Sequence, residues 1–182
     1  MEKTEQLFTL SKITKLSNEL QIDTLTGVYK KSYFNTQLEK MMREHEALIL
    51  VVIDIDDFKA VNDTYGHQSG DTILIEFTRL IQANIRTYDM FSRWGGEEFL
   101  LLFRHTNLEN AIKKLERLRK IIEEHNFSHI SSLTASFGLS LRNDNDDVHS
   151  LVERADLGLY EAKKSGKNRV IYKAYPHPSK LP

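Results

Sequence analysis

A pair of glycines near the middle of the chain, Gly95-Gly96, constrains the fold more than any other feature of the sequence. Short runs of aromatic and aliphatic residues flank the pair at 89–92 and 100–103, and glycines between two such runs favour a tight β-hairpin. The strands of a hairpin are antiparallel, whereas parallel strands need a long crossover connection. The hairpin therefore excludes an all-parallel sheet, and the rest of the chain must fold around at least one antiparallel pair.

Two adjacent carboxylates, Glu97 and Glu98, follow directly after the glycines. Like charges so close together are unfavourable unless something compensates them. Glycines beside acids would let a bulky anionic ligand approach the backbone, with a cation between the ligand and the acids. A tight turn with two solvated glutamates explains the same residues equally well, so this stretch alone leaves both interpretations open.

An uninterrupted apolar run at 48–53 predicts a strand that is buried on both faces. The run ends at Asp54, and a buried strand can hold a metal-ligating carboxylate rigidly at its end. The alternative role for acids at this point is helix capping, which Asp56 or Asp57 could perform for the following segment. We interpret Asp57 as a capping or surface residue and Asp54 as the candidate ligand.

Periodicity, helix caps and glycines predict the remaining elements. They are helices at about 31–46, 73–85, 107–122 (capped by Asn107) and 147–165 (opened by Asp146 or Asp147 and closed by Gly166), a turn-rich loop at 62–71, and strands at 131–141 and 169–172. This order predicts an α+β, two-layer fold, in which helices flank a five-stranded, mixed and largely antiparallel sheet of the ferredoxin-like, palm type. In that topology we expect Asp54 to meet Glu97 and Glu98.

The chain has 182 residues, enough for one sizeable domain. We expect an amphipathic helix at 1–22, the main domain at 23–175, and a disordered tail at 176–182 that contains all three prolines. The spacing of leucines in the first helix is compatible with a coiled-coil seam and with packing onto its own domain, so both remain open.

Composition narrows the classes of partner. A formal net charge of -1 gives no general attraction to nucleic acid or to an anionic membrane, and the absence of cysteine excludes disulfides and thiolate metal sites. No apolar run approaches the roughly 20 residues of a membrane span, and no signal peptide is visible. We expect a cytoplasmic domain that contacts no membrane itself, while a longer protein containing it could still be membrane-attached.

Together, these motifs resemble one known family. The segment Gly95-Gly96-Glu97-Glu98-Phe99 is similar to the hallmark of the GGDEF family of diguanylate cyclases, in its Glu-for-Asp form. Four further segments match the family's pattern in the right order, namely 23–27 (Asp-Thr-Leu-Thr-Gly), 54–71, 136–138 (Ser-Phe-Gly) and 162–168. The resemblance covers about 23–172, and it departs from the family's frequent Asn-Arg at Lys30-Lys31.

The resemblance implies that two GTP molecules are joined into cyclic di-GMP with release of two pyrophosphates. It implies that Asp54, the backbone carbonyl of Ile55 and Glu97 bind Mg²⁺, with Mn²⁺ as a possible substitute. Divalent cations stabilise the charge that develops on attacking and leaving oxygens in such transfers. The resemblance makes Glu97 or Glu98 the acceptor of the hydroxyl proton, and Lys59 a stabiliser of transition-state charge.

The family pattern also implies where the substrate lies. Lys163 and Lys167 would hold the triphosphate, although cations at a helix C-terminus are favoured without any ligand. The guanine readers would be Asn62 and Asp71, because a carboxylate can accept from both the N1–H and the exocyclic amine of guanine, which adenine lacks. Two further residues are assigned to the substrate site, Phe58 and His67, the latter being otherwise a loop histidine that bonds the backbone.

Arg86-x-x-Asp89 lies five residues before Gly95, which is the spacing of the family's product-inhibition site. An arginine there can form paired hydrogen bonds to phosphate or to a guanine edge, and the aspartate can accept from guanine. The resemblance thus implies feedback inhibition by cyclic di-GMP bound to Arg86 and Asp89.

The product needs two GTP molecules, so the resemblance implies a homodimer with one GTP per subunit and facing catalytic domains, assisted by the N-terminal helix. Two alternatives remain. One is a catalytically silent domain that binds GTP or cyclic di-GMP and signals by shape. The other is a mononucleotide cyclase that makes cyclic GMP.

Overall fold

The computed structural model describes residues 21–44, 46–128 and 130–175. Its elements are β1 (Tyr29–Lys30), α1 (Lys31–Arg43), β2 (Leu48–Ile55), α2 (Phe58–Tyr65), α3 (His67–Gln82), β3 (Met90–Gly95), β4 (Glu98–Arg104), α4 (Leu108–Glu124), β5 (Ala135–Leu141), α5 (Val148–Lys164) and β6 (Val170–Lys173). The expected tail at 176–182 and nearly all of the expected first helix lie outside the described residues. Within the described ranges, no helix is both long and apolar enough to cross a bilayer.

The strands form one sheet in the order β1-β3-β4-β2-β5-β6. The central strand β2 is antiparallel to β4 and β5, β3 is antiparallel to β4, and the two edge pairs β1–β3 and β5–β6 are parallel. The predicted mixed, largely antiparallel sheet is confirmed, with six strands instead of five. The additional strand β1 has two residues, too short to show the alternation by which a strand is recognised in a sequence.

Helices cover both faces of the sheet. All eight residues of β2 are buried, as its uninterrupted apolar run predicts. Its odd-numbered residues belong to the larger hydrophobic cluster, with α3 and α4, and the even-numbered residues 48–52 to the smaller one, with α1 and α5. Burial on both sides fixes the register of β2, because a slip by one residue would exchange its two faces.

Helix α5 lies directly on the backbone of β5. A Cβ added to Gly138 would stand 2.1 Å from both the Ala155 carbonyl oxygen and the Leu159 amide nitrogen. One added to Gly158 would stand 2.8 Å from the Ile171 carbonyl oxygen. Glycine at both positions permits this close approach, which sets the position of the helix that carries Lys163.

Two predicted segments differ from the structure. The segment 62–71, expected to be a turn-rich loop, is largely helical. Helix α2 ends at Tyr65 and α3 begins at His67, and the chain turns between them at Gly66 (φ 82). The hydroxyls of Ser69 and Thr72, which favour turns, instead bond carbonyls four residues earlier within the helical segment. The strand expected from residue 131 begins at Ala135, because its partner β2 ends at Ile55, opposite Ala135.

The predicted caps at Asn107, Asp147 and Gly166 are confirmed. The side chains of Asn107 and Asp147 accept the backbone N–H of Asn110 and Ser150 and so cap α4 and α5. Gly166 follows the last turn of α5 with φ 106, the left-handed conformation that glycine adopts without strain.

Candidate active site

The hairpin and the end of β2 meet as predicted. Asp54 is paired with Glu98 in the β2–β4 register, and the N–H of Ile55 donates to the Glu97 carbonyl at 3.3 Å. Asp54 is buried, Glu97 half-buried and Glu98 exposed. The antiparallel register therefore brings Asp54 to two adjacent glutamates that lie more than 40 residues further along the chain.

Asp54 is the electrostatic centre of this group. Burial raises the pKa of Asp54 to about 6, and the nearby charges of Glu97 and Glu98 act in the same direction. Lys163 opposes the shift, because its Nζ lies 2.6 Å from Asp54 Oδ2. A buried carboxylate among other carboxylates needs a cation nearby, and in this structure Lys163 provides it.

The donor set fits a hard divalent cation. Two carboxylates and the Ile55 carbonyl would offer oxygen ligands, the kind that Mg²⁺ prefers, and it usually keeps several waters besides. In the described part of the chain, no three His, Cys, Asp or Glu side chains are grouped as a metal site. A set of two carboxylates and one backbone carbonyl does not require such a group.

The two lysines assigned to the triphosphate both contact carboxylates at the end of β2. Lys167 lies 2.6 Å from Asp57 Oδ1, and this hydrogen bond raises the pKa of Lys167. Lys163 lies on the last turn of α5, and Lys167 follows Gly166 with φ 61. Each lysine is thus held at the acids rather than directed only into solvent.

Asp57 is exposed, which confirms its interpretation as a surface residue. It occupies the N-cap position of α2 with φ 55, but its side chain makes no capping bond, so the alternative of side-chain capping is wrong. Asp56 is buried and accepts hydrogen bonds from Thr134 Oγ1 and Ser136 Oγ, both at 2.7 Å, and from the N–H of Asn168 at 3.1 Å. It ties β2 to β5 and to the segment that carries Lys167. The sequence signal for this role was two hydroxyl residues, at 134 and 136, beside an apolar strand.

The expected guanine readers lie where α2 packs against α3. A Cβ on Gly70 would stand 1.9 Å from Asn62 Oδ1, so the absence of a side chain there makes room for the Asn62 amide. Phe58 is buried in the core beneath them, and its ring lies 3.3 Å from the same Cβ position. His67 is exposed at the first position of α3, as Lys59 is on the first turn of α2.

Arg86 and Asp89 lie at the opposite end of β3 from the hairpin, about 20 Å away at the usual rise of a strand. Asp89 is buried, and its carboxylate accepts the backbone N–H of Arg86 at 3.0 Å and of Arg104 at 3.4 Å. The exposed Arg86 guanidinium donates to the hydroxyl of Tyr88 and lies over its ring.

Arg86 and Asp89 line a cavity of about 330 Å³ together with two cationic residues of α4, Lys114 and Arg117. Neither Lys114 nor Arg117 was predicted from the sequence as part of a site. The only signal was a pair of cations spaced three residues apart on one helix, which is common on solvated helix faces.

Carboxylates at the ends of adjacent strands, with lysines from a helix end beside them, could hold a divalent cation and a phosphate group together. Comparison with known proteins identifies the family. The model of the diguanylate cyclase GGDEF domain matches residues 20–169. The chain therefore belongs to the GGDEF diguanylate cyclase family.

Individual relatives agree. The chain is 39% identical to Diguanylate cyclase A of Treponema denticola over 159 residues, which covers 81% of the chain and 43% of that relative. It is 36% identical to Response regulator PleD of Caulobacter vibrioides, of which the match covers 36%. The chain thus spans less than half the length of these relatives.

Solved structures show the same fold. The coiled coil and GGDEF domain of DgcB from Caulobacter crescentus, in complex with c-di-GMP, superposes with a TM-score of 0.87 at 27% identity, covering 94% of this chain and 95% of that one. The active GGEEF domain of a diguanylate cyclase from Vibrio cholerae superposes with a TM-score of 0.71 at 31% identity, covering 80% and 94%.

Proposed function

We propose that this chain is the catalytic domain of a diguanylate cyclase, which condenses two GTP molecules into cyclic di-GMP and releases two pyrophosphates. The observation that carries the proposal is the meeting of Asp54 with Glu97 and Glu98 beside Lys163. These groups supply the oxygen ligands, the proton acceptor and the phosphate-binding cation that the reaction needs.

Asp54, Glu97 and the carbonyl of Ile55 would hold Mg²⁺ or Mn²⁺. When bound, the ion would neutralise negative charge on the phosphate oxygens. The acids are suited to this role, because Asp54 is buried and repelled by its neighbouring glutamates. Lys163 compensates them in the absence of substrate and would turn to the triphosphate when GTP binds.

The remaining residues would bind GTP and orient it for the reaction. Each 3′-hydroxyl must lose a proton as it attacks the α-phosphorus, and Glu97 or Glu98 would accept it. Lys59 would stabilise the charge of the transition state, and Lys167 would leave Asp57 for a phosphate oxygen. Asn62 and Asp71 would select guanine, with Phe58 as the wall beneath and His67 at the entrance.

The function is tested by incubating the chain with GTP and Mg²⁺ and separating the nucleotides by chromatography. Cyclic di-GMP is the expected product, and Asp54→Asn should lower its rate of formation by roughly 10²-fold or more. Cyclic GMP as the product would identify a mononucleotide cyclase instead. Nucleotide binding without turnover would identify a silent signalling domain.

We also propose that the active species is a homodimer with one GTP per subunit, because the two substrates must meet head to tail. The neighbour DgcB was solved with a coiled coil before its GGDEF domain. A helix at 1–22 that pairs in the same way would raise the local concentration of the second site. The specific activity should fall on dilution, and a constant specific activity across a wide dilution series would contradict the dimer.

Finally, we propose that cyclic di-GMP inhibits the enzyme by binding at Arg86 and Asp89. Structures of family members in complex with c-di-GMP support product binding in this family. Asp89 already holds the backbone of Arg86, so it would position the arginine as well as accept from guanine. Arg86→Ala should leave the initial rate unchanged and relieve the slowing as product accumulates. A progress curve like that of the wild type would refute this role.

A further inference from the structure

We propose that Arg119 of α4 is a positioning residue for substrate binding, which acts through Asn168 to hold Lys167 at the end of β2. The inference rests on the proposed function, because Lys167 is there assigned to the triphosphate of GTP. It brings in a helix that supplies none of the residues assigned to the candidate active site.

The first observation is a closed set of hydrogen bonds between α4 and the side chain of Asn168. Arg119 Nη1 donates to Asn168 Oδ1 and to Glu123 Oε2, both at 2.9 Å. Asn168 Nδ2 in turn donates to Glu123 Oε1 at 2.8 Å. The amide oxygen thus faces a group that only donates and the amide nitrogen a group that only accepts, so α4 accepts this amide in one orientation.

Arg119 is itself held in place on the helix. Its side chain is only 13% exposed, and its Nε donates to Glu116 Oε2 at 3.0 Å. Carboxylates one turn before it and one turn after it therefore fix the plane of the guanidinium, whose donors point in set directions. Helix α4 presents a rigid donor and a matching acceptor to one amide, that of Asn168.

The second observation is the backbone of the segment that follows α5. Gly166, Lys167 and Asn168 have φ values of 106, 61 and 47 in succession. Glycine adopts the left-handed conformation freely and asparagine tolerates it, but for lysine it is unfavourable and persists only where neighbouring contacts impose it. The N–H of Asn168 donates to Asp56 Oδ2 at 3.1 Å, so Asn168 is held by β2 through its backbone and by α4 through its side chain.

These contacts decide where Lys167 points. The Lys167 side chain is 39% exposed, so little packing directs it, and its Nζ reaches Asp57 Oδ1 at 2.6 Å from a strained backbone. Without the contact between Arg119 and Asn168, the backbone at 167–168 would relax towards commoner conformations and turn the lysine away from the end of β2. We therefore expect α4 to set how well Lys167 can meet a phosphate oxygen.

A purely structural role for Arg119 makes a different prediction. If the network served only to attach the end of the chain to α4, its loss would lower stability, and any effect on GTP binding would add to the effect of removing the Lys167 ammonium. A positioning role predicts that the two effects do not add, because without that ammonium there is nothing left to position.

The experiment measures binding of 3′-deoxy-GTP with Mg²⁺ to the full chain by isothermal titration calorimetry, at a temperature where every variant is folded. This analogue lacks the attacking hydroxyl, so binding is separated from reaction. We expect Arg119→Met to weaken binding about three- to tenfold. Asn168→Gly should do the same, since glycine permits the left-handed backbone but removes the amide. In a Lys167→Met background, Arg119→Met should change the affinity by less than about twofold.

The matched control is Lys113→Met. Lys113 lies on the same helix and pairs with Glu109, four residues away, at 2.6 Å, but it is exposed, and its loss should change the affinity by less than about twofold. In the assay with GTP itself, Arg119→Met should raise the KM by the factor by which the affinity falls and leave kcat within about twofold of the wild type, as expected when only substrate binding is weakened.

Three outcomes overturn the inference in distinguishable ways. If Arg119→Met leaves the affinity unchanged while the wild type makes cyclic di-GMP, Arg119 positions nothing although the proposed function stands. If Arg119→Met weakens binding equally with and without the Lys167 ammonium, its role is structural and the proposal is rejected. If the wild type neither binds 3′-deoxy-GTP nor makes cyclic di-GMP, the proposed function is wrong and the inference with it.

Discussion

The two ends of strand β3 differ in how their cationic and acidic side chains are paired. At the hairpin end, each lysine assigned to the triphosphate already has a carboxylate partner, Lys163 with Asp54 and Lys167 with Asp57. At the other end, the carboxylate of Asp89 is satisfied by backbone N–H groups, and the ammonium of Lys114 has no hydrogen-bond partner in the described structure.

The difference suggests two kinds of binding. A triphosphate at the hairpin end would have to displace Asp54 and Asp57 from the two lysines. Its net affinity would then be the difference between the lysine–phosphate and the lysine–carboxylate interactions. An anion bound in the cavity at the other end would meet the ammonium of Lys114, which has no hydrogen-bond partner among the described residues. We therefore expect changes near the hairpin to affect turnover and GTP affinity while sparing product affinity at the cavity.

The largest effect should come from Gly138→Ala. The new Cβ would overlap two backbone atoms of α5, which cannot move as a flexible side chain could. We expect a loss of about 3 kcal/mol in the free energy of unfolding, measured by urea denaturation. Turnover should fall as well, because the displaced helix carries Lys163, whereas the affinity for cyclic di-GMP should change little under conditions where the protein is folded.

Gly95→Ala is the matched control for Gly138→Ala. A Cβ on Gly95 would have no atom within 4 Å, and the residue does not have a positive φ. The free energy of unfolding of the Gly95→Ala variant should therefore stay within about 1 kcal/mol of that of the wild type. Equal stability of the two variants would show that α5 does not rest on the backbone of β5, and would remove the reason for treating the hairpin end as one rigid unit.

Much of this architecture was accessible from the sequence. The buried run at 48–53, the glycine pair of the hairpin and the caps at Asn107 and Asp147 each follow from local chemistry, and the structure confirms them. The meeting of Asp54 with the two glutamates followed from topology, since an antiparallel register leaves few positions for the end of β2.

The parts that escaped prediction depend on the tertiary structure. Residues 62–71 have the composition of a turn but are helical, because packing of α2 against α3 outweighs weak local preferences. The pairing of Lys167 with Asp57 joins positions 110 residues apart, and no pattern encodes such a contact. Lys114 looks like any surface lysine until the fold encloses its ammonium.

A smaller effect should appear at the other end of α5, where Arg154 binds Asp146. Burial of Asp146 is outweighed by hydrogen bonds from Arg154, the N–H of Asn143 and Ser150, so the pKa of Asp146 lies below its ordinary value of 3.8. A lowered folded pKa stabilises the protein above the unfolded pKa, and this stability is lost as the pH falls through the folded pKa. We expect Asp146→Asn to cost on the order of 1 kcal/mol at pH 7 and progressively less below about pH 4.

Asp144→Asn is the control for that pH dependence. Asp144 is 90% exposed and lies 3.4 Å from Arg142, so its loss should be nearly neutral at every pH. Thermal unfolding from pH 3 to pH 7 gives both profiles. If the deficit of Asp146→Asn is the same at pH 3 and pH 7, ionisation of this carboxylate does not anchor α5.

The smallest effect tests the idea of partner exchange most directly. In Asp57→Asn, Lys167 loses its anionic partner, and the triphosphate no longer has to compete with it. Because Asp57 is 68% exposed, the ion pair is screened, and we expect the KM for GTP to fall only about two- to fivefold with kcat unchanged. Lys167→Met should raise the KM instead, and product affinity at the Arg86 cavity should be the same in both variants. A higher KM in Asp57→Asn would mean that the aspartate holds Lys167 in position for the substrate, and would contradict partner exchange at the hairpin end.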